Sequence, residues 1–181
     1  MKIICISGRA GSGKDTAATF LKKSLEAEGS KVIITHYADL LKFIIKEYFE
    51  WDGNKDEAGR NLLQNVGTEF RRMDPNFWVL FISYIVDLFP QYWDYVIIAD
   101  ARYPNEVSFW KDRGYDCSVV KIIADFKQDC DWDKDHKLTK AQKQHFSEVL
   151  IDNVEADFEI YNDGTLQDFY EDLGFLLENI K

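Results

Sequence analysis

Short apolar runs alternate with longer stretches of helical spacing along this chain. Lys2–Ser7 reads KIICIS and ends at Gly8, the pattern of a strand buried on both faces. Asp15 to Glu28 carries Ala17, Phe20, Leu21 and Leu25 on one face, and Gly29 stops it, which predicts a helix. Val32 to Thr35 predicts a second strand. Leu40 to Phe49 predicts a helix capped by Asp39. Beyond a polar turn from Trp51, the spacing predicts a helix over Glu57 to Arg72, despite Gly59 and Gly67. Pro75 then leads into an apolar helix, Asn76 to Phe89. Tyr95 to Ala99 (YVIIA) is a third buried strand. Pro104 opens a helix at its first position and Gly114 ends it. Cys117 to Ile123 and Phe158 to Tyr161 predict two more strands, and Leu166 to Ile180 a closing helix.

Continuous apolar strands alternating with helices predict an α/β fold, a parallel sheet covered on both faces. No internal repeat or linker divides the 181 residues, so one domain is expected, with insertions at 39–89 and 125–145. The net charge of -10 argues against binding a nucleic-acid polymer, which takes many Lys and Arg contacts. A small anionic ligand needs only a few local cations and backbone N–H groups. Of three cysteines, Cys5 and Cys117 fall in strands read as buried, which suits a reducing, cytoplasmic setting. No charged leader precedes the first strand, and no apolar run is long enough to predict a membrane span.

The chemistry enters with GRAGSGKDT, Gly8 to Thr16. A phosphate-binding loop is written G-x-x-x-x-G-K-[ST], and here it lies between a strand and a helix, as it should. Gly8, Gly11, Ser12 and Gly13 let backbone N–H groups turn toward phosphate oxygens, and Lys14 reaches the terminal phosphates. Asp15 stands where Ser or Thr is usual, and Thr16 follows. Thr16 then bonds a phosphate while Mg2+ is held largely through water. Asp15 either assists that water shell or stabilises the helix start. Thr16 after a non-hydroxyl residue is the pattern of nucleoside monophosphate-type kinases, so the departure points to a class of ATP site.

In YVIIADARYPNE, Asp100 is read just past the third strand, where α/β sheets bind ligands. It is the candidate for orienting a metal-bound water. Arg102 follows with a fork suited to phosphate, the alternative being a surface salt bridge. Arg60, Gln64, Thr68 and Arg71 form one helical stripe. Gln64 and Thr68 can read a base or sugar edge, and the arginines can hold a phosphate. Phe70, Phe77 and Trp78 offer stacking surfaces or, as single rings, ordinary core. Lys42 is a further phosphate candidate. In DCDWDKDHKLTKAQKQH the acidic spacing fails as a calcium loop, because Lys134 and Lys140 replace the required Gly and Glu. His136, His145 and Cys130 lack zinc spacing. The segment reads as a lid whose Lys134, Lys137, Lys140 and Lys143 either approach phosphates or face water.

Together, SGRAGSGKDT, YADLLK, RNLLQNVGTEF, FWVLF, DYVIIADAR, HFSE and YNDGTLQDF, in this order, resemble the bacteriophage-type deoxynucleoside monophosphate kinases within the P-loop kinases. The resemblance implies a P-loop NTPase three-layer fold. Its five-stranded parallel sheet has order 2-3-1-4-5, with an NMP-binding helical insertion and a lid. It implies ATP with Mg2+ as donor, a deoxynucleoside 5′-monophosphate as acceptor, and the host cytoplasm if the gene is a phage's. Lys42, Arg60, Gln64 and Arg102 match acceptor-binding positions. Asn162, Gly164 and Thr165 match positions near adenine, and His145 and Glu148 mark the lid's return. A homodimer stays open. The alternatives are a P-loop kinase of another phosphorylated small molecule and a catalytically weak nucleotide-binding regulatory module. One departure stands out. Such kinases place arginine at or soon after the fourth strand, where this chain reads Ala124-Asp125-Phe126, and its lid segment has no arginine.

Overall fold

The computed structural model describes residues 1–124 and 150–181. The predicted lid, the acidic insertion and the His145 to Glu148 motif lie outside the described residues. Along the chain run β1 (Lys2–Ser7), α1 (Lys14–Ala27), β2 (Val32–Thr35), α2 (Tyr37–Phe49), α3 (Glu57–Met73) and α4 (Phe77–Leu88). There follow β3 (Tyr95–Ala101), α5 (Pro104–Asp112), β4 (Asp116–Ile123), a 3-10 turn (Leu150–Asn153), β5 (Phe158–Tyr161) and α6 (Leu166–Ile180).

The strands form one five-stranded sheet of order β2-β3-β1-β4-β5. Every strand pairing is parallel. β1 is central: Ile3 lies opposite Val96 of β3 and Cys117 of β4. Strand alternation sorts the core into two layers. Ile3, Cys5, Val96, Ile98 and Val119 pack with Leu41, Ile45, Trp78 and Trp110. Ile4, Ile6, Ile97, Ala99, Val120 and Ile122 pack with Leu21, Leu25, Phe169 and Leu173 of α1 and α6. The sheet therefore separates the phosphate-loop helix from α2 to α5. Cys5 is buried and Cys117 half-buried, and both are free thiols.

Two boundaries differ from the sequence reading in ways that matter. α2 begins at Tyr37 with His36 at its cap position, and Asp39 sits inside its first turn. The acid that satisfies the helix start is distant in sequence: Asp100 accepts from Tyr37 N at 2.7 Å and Ala38 N at 3.0 Å. β3 runs on to Ala101 because Ala101 pairs with Ser7, so Asp100 lies within the strand. α3 keeps both glycines for packing. A Cβ on Gly59 would sit 2.1 Å from Asn54 O, and one on Gly67 would sit 3.3 Å from Leu41 Cδ2.

Candidate active site

The loop between β1 and α1 takes its shape from its backbone. Gly8, Gly11 and Gly13 have φ of 147°, 79° and 103°, conformations that side chains resist. Space forbids a side chain as well. A Cβ on Gly8 would lie 2.5 Å from Ile122 O, and one on Gly13 would lie 2.5 Å from Asn162 Nδ2. Gly13 ends the loop, and no side chain caps α1. The N–H groups of the first turn are thus left for an anion, which the helix dipole favours. Lys14 is buried, and its Nζ donates to Gly8 O and Arg9 O at 2.7 Å each. These bonds fold its ammonium back over the loop. Ser12 Oγ is buried with no hydrogen-bond partner among the described residues.

Thr16 is half-buried in the first turn, while Asp15 is exposed, its Oδ1 3.4 Å from His36 Nε2. The hydroxyl and carboxylate oxygens of Thr16, Asp15 and Asp100 are the hard donors that suit Mg2+ and its water shell. Asp100 already anchors α2, yet each carboxylate oxygen retains a second lone pair.

At the far end of the loop, Ala10 shares a cavity of about 200 Å³ with Lys42, Lys55, Arg60, Gln64, Arg71, Trp78, Asp100 and Arg102. Tyr37, Ala38, Leu41, Leu63 and Tyr103 complete its wall. Of the predicted acceptor residues, Lys42, Arg60, Gln64, Arg71, Trp78 and Arg102 are brought together here. Thr68 is not on this wall. Trp78 lies 2% exposed, with Nε1 donating to Gly67 O at 3.3 Å, so the pocket meets only a part of its ring. Phe70 and Phe77 pack on each other and on Trp78 at centroid separations of 4.6–5.3 Å. Those two rings are half-buried and pack against the core, the alternative already noted for them.

Glu106 organises this pocket, and the sequence reading did not single it out. It is 1% exposed. Its Oε1 accepts from Arg71 Nη2 at 2.8 Å, and its Oε2 from the backbone N–H of Arg102 at 2.8 Å and of Tyr103 at 3.1 Å. The Arg71 guanidinium lies 4.0 Å from the centroid of the Tyr103 ring. Burial pushes the Glu106 carboxyl above its ordinary range, and Arg71 and the backbone N–H of Arg102 pull against that rise. The signal was present in Tyr103-Pro104-Asn105-Glu106, a helix start with Pro at the first position and Glu at the third. Lys55 was also missed. It directly precedes Asp56, whose side chain caps α3 through Gly59 N at 2.8 Å.

The residues matched to adenine positions have structural partners. Asn162 Nδ2 donates to Ser12 O at 2.9 Å, tying the end of β5 to the phosphate loop. Thr165 caps α6: its N and Oγ1 each lie 2.8 Å from Asp168 Oδ2. Gly164 is close to the same acid, since a Cβ there would lie 2.7 Å from Asp168 Oδ2. Among the described residues no group of three or more His, Cys, Asp or Glu is placed to hold a metal by itself. No described helix is long and apolar enough to cross a membrane.

No family model matches the chain, and no curated protein matches it. Solved structures do. The protein described as APE1195 superposes with a TM-score of 0.60 at 17% identity, covering 98% of this chain and 93% of that one. The Mycobacterium tuberculosis APS kinase in complex with AMPPNP and APS superposes with a TM-score of 0.55 at 17% identity, covering 98% and 97%. Dephospho-CoA kinase from Campylobacter jejuni gives 0.51 at 14%, covering 99% and 98%. The chain thus has the fold of P-loop kinases: a five-stranded parallel sheet of order 2-3-1-4-5 wrapped by helices, with the phosphate loop at the end of its central strand.

Proposed function

We propose that this protein is a kinase that transfers the γ-phosphoryl group of ATP to a deoxynucleoside 5′-monophosphate. The observation that carries the reading is the cationic pocket at the end of the phosphate loop, where Lys42, Arg60, Arg71 and Arg102 converge beside Gln64. In a chain of net charge -10, such a cluster is an anion site. The loop binds the donor phosphates through its N–H groups and Lys14. Thr16, Asp15 and Asp100 are the residues that would hold Mg2+, largely through water, and the ion would supply positive charge to those phosphates. Arg71, fixed by Glu106 and Tyr103, binds the acceptor phosphate with Arg60 and Arg102. Gln64 meets the base or sugar. Catalysis is then positioning and charge, with no covalent intermediate.

A second reading has one observation in its favour. Phe70 and Phe77 are not on the pocket wall and pack against the core, and Trp78 is nearly buried, so little flat surface there is offered to a base. An acceptor with a phosphate but no base fits the same cations. ADP release from MgATP against dAMP, dGMP, dCMP, dTMP, the ribonucleotides and non-nucleoside phosphates tests both. Turnover on one or two deoxynucleotides, abolished in Lys14→Ala, is the expected result. Turnover only on a non-nucleoside phosphate selects the second reading. ATP binding without turnover on any acceptor selects a regulatory module.

A further inference from the structure

The pocket holds more positive charge than one acceptor phosphate requires. Lys42, Lys55, Arg60, Arg71 and Arg102 line it, and among the described residues Asp100 is the only carboxylate on its wall. A phosphate monoester brings a charge of roughly −1.5 to −2. Several of these cations are already engaged. Arg71 is clamped by Glu106, and Lys42 Nζ lies 3.0 Å from Asp39 Oδ1. Arg60 Nε donates to Lys55 O at 2.8 Å. Among the described residues no carboxylate is paired with Lys55.

The backbone of Lys55 is held although its side chain is exposed at the pocket mouth. Arg60 holds its carbonyl, and Trp51 Nε1 donates to Asn54 O at 2.9 Å. Asp52 Oδ1 accepts from Asn54 N at 2.8 Å, and Asp56 anchors the following helix. Lys55 shares the cavity wall with Ala10 of the loop and with Lys42, Arg60 and Arg102. Partial desolvation, then repulsion from Lys42, Arg60 and Arg102, weakens its hold on its proton, while Asp15 attracts it. Lys55 therefore lines a cavity that also touches the loop, at Ala10, and the acceptor cations Arg60, Arg71 and Arg102.

We propose that Lys55 is a catalytic residue that supplies the positive charge on the phosphoryl group as it passes from donor to acceptor. This rests on the kinase reading above. It answers the missing arginine, because Arg113 is the last arginine in the sequence. In the step, an acceptor phosphate oxygen bonds to the γ-phosphorus as the bond to the β–γ bridging oxygen breaks. ADP leaves with that electron pair, and nothing is oxidised or reduced. Lys55 keeps its proton and stabilises the charge spread over the three equatorial oxygens.

The test compares steady-state kinetics of Lys55→Met, Lys55→Arg and the wild type on the accepted substrate. Lys55→Met is expected to lower kcat about 10²- to 10³-fold, the scale for losing one transition-state donor, while both KM values move by less than about threefold. Lys55→Arg is expected to restore most of the rate. Calorimetric affinity for a non-hydrolysable ATP analogue and the urea unfolding midpoint should match the wild type in both variants. A raised acceptor KM at unchanged kcat makes Lys55 a ground-state binder and overturns the proposal. So does a Lys55→Met enzyme with wild-type kinetics. Wild-type silence on every acceptor sinks the kinase reading itself, an outcome distinct from either.

Discussion

The glycine-rich loop after β1 and the cationic pocket beside it are built by opposite means. The loop is made of backbone. Three glycines set its path, two of them where a Cβ has no room, and its own lysine closes over it. The pocket is made of side chains from α2, α3, the turn before α3 and the end of β3, and a buried carboxylate on α5 holds the arrangement. A backbone site is nearly complete within nine consecutive residues. A side-chain site exists only after elements far apart in sequence have docked. The first tolerates change around it but none within it, and the second spreads its dependence over many positions.

The sharpest separation comes from Lys14→Ala. Removing the ammonium of Lys14 should lower turnover by about 10²–10³-fold, with the unfolding midpoint nearly unchanged. Steady-state rates alongside urea titration check both halves. A large loss of stability would mean that Lys14 mainly braces the loop through Gly8 and Arg9.

Glu106→Ala should act in the opposite sense, first on stability and then on the acceptor. It leaves Arg71 without its buried partner and two backbone N–H groups without an acceptor, a loss on the order of 3 kcal/mol in urea unfolding. Acceptor KM should rise while affinity for an ATP analogue holds. Equal weakening of both ligands would break the contrast between the two regions.

Thr165→Ala discriminates more finely. If Thr165 serves α6 as its cap, stability falls by about 1 kcal/mol and the KM for ATP stays put. A raised KM for ATP with unchanged stability would instead support the adenine role that the resemblance implies.

The smallest effect is a pH slope. Glu106 holds its proton more tightly in the folded chain than its ordinary value of 4.5. Such a carboxyl favours folding below that value and withdraws the contribution as pH rises through its raised value. Stability of Glu106→Gln, measured by urea unfolding from about pH 4 to pH 7, should lack this downward component. An identical slope in both proteins would show that other groups set the pH dependence.

The same contrast explains what the sequence made legible. Strand and helix order could be read because parallel strands are continuous apolar runs, and KIICIS followed by GRAGSGKDT carries its own context. Arg60, Gln64 and Arg71 could be placed on one wall because helical spacing is a local property. Thr68 fell outside it because a stripe on a helix is broader than the part a pocket uses. Glu106 and Lys55 were passed over for another reason. Each sits at a helix start, where an acid or a cation has an ordinary local role, and their link to the pocket depends on folding. Asp100 shows the same limit: nothing local says that its carboxylate will receive the first N–H groups of α2, some 63 residues earlier.

The order in which the chain is made sets a schedule for this site. β1 and the loop emerge first, but β1 is the central strand, and its partners begin only at Tyr95 and Asp116. The loop's brace, Asn162, lies 150 residues beyond Ser12. Until Tyr95 and its strand emerge, the newborn chain carries an apolar β1 with both edges unpaired, the condition that invites aggregation. The proposed nucleotide site is therefore among the last parts to be finished, although its loop is among the first to be synthesised. A chain stalled on the ribosome shortly before β5 would contain the whole motif with the brace still missing.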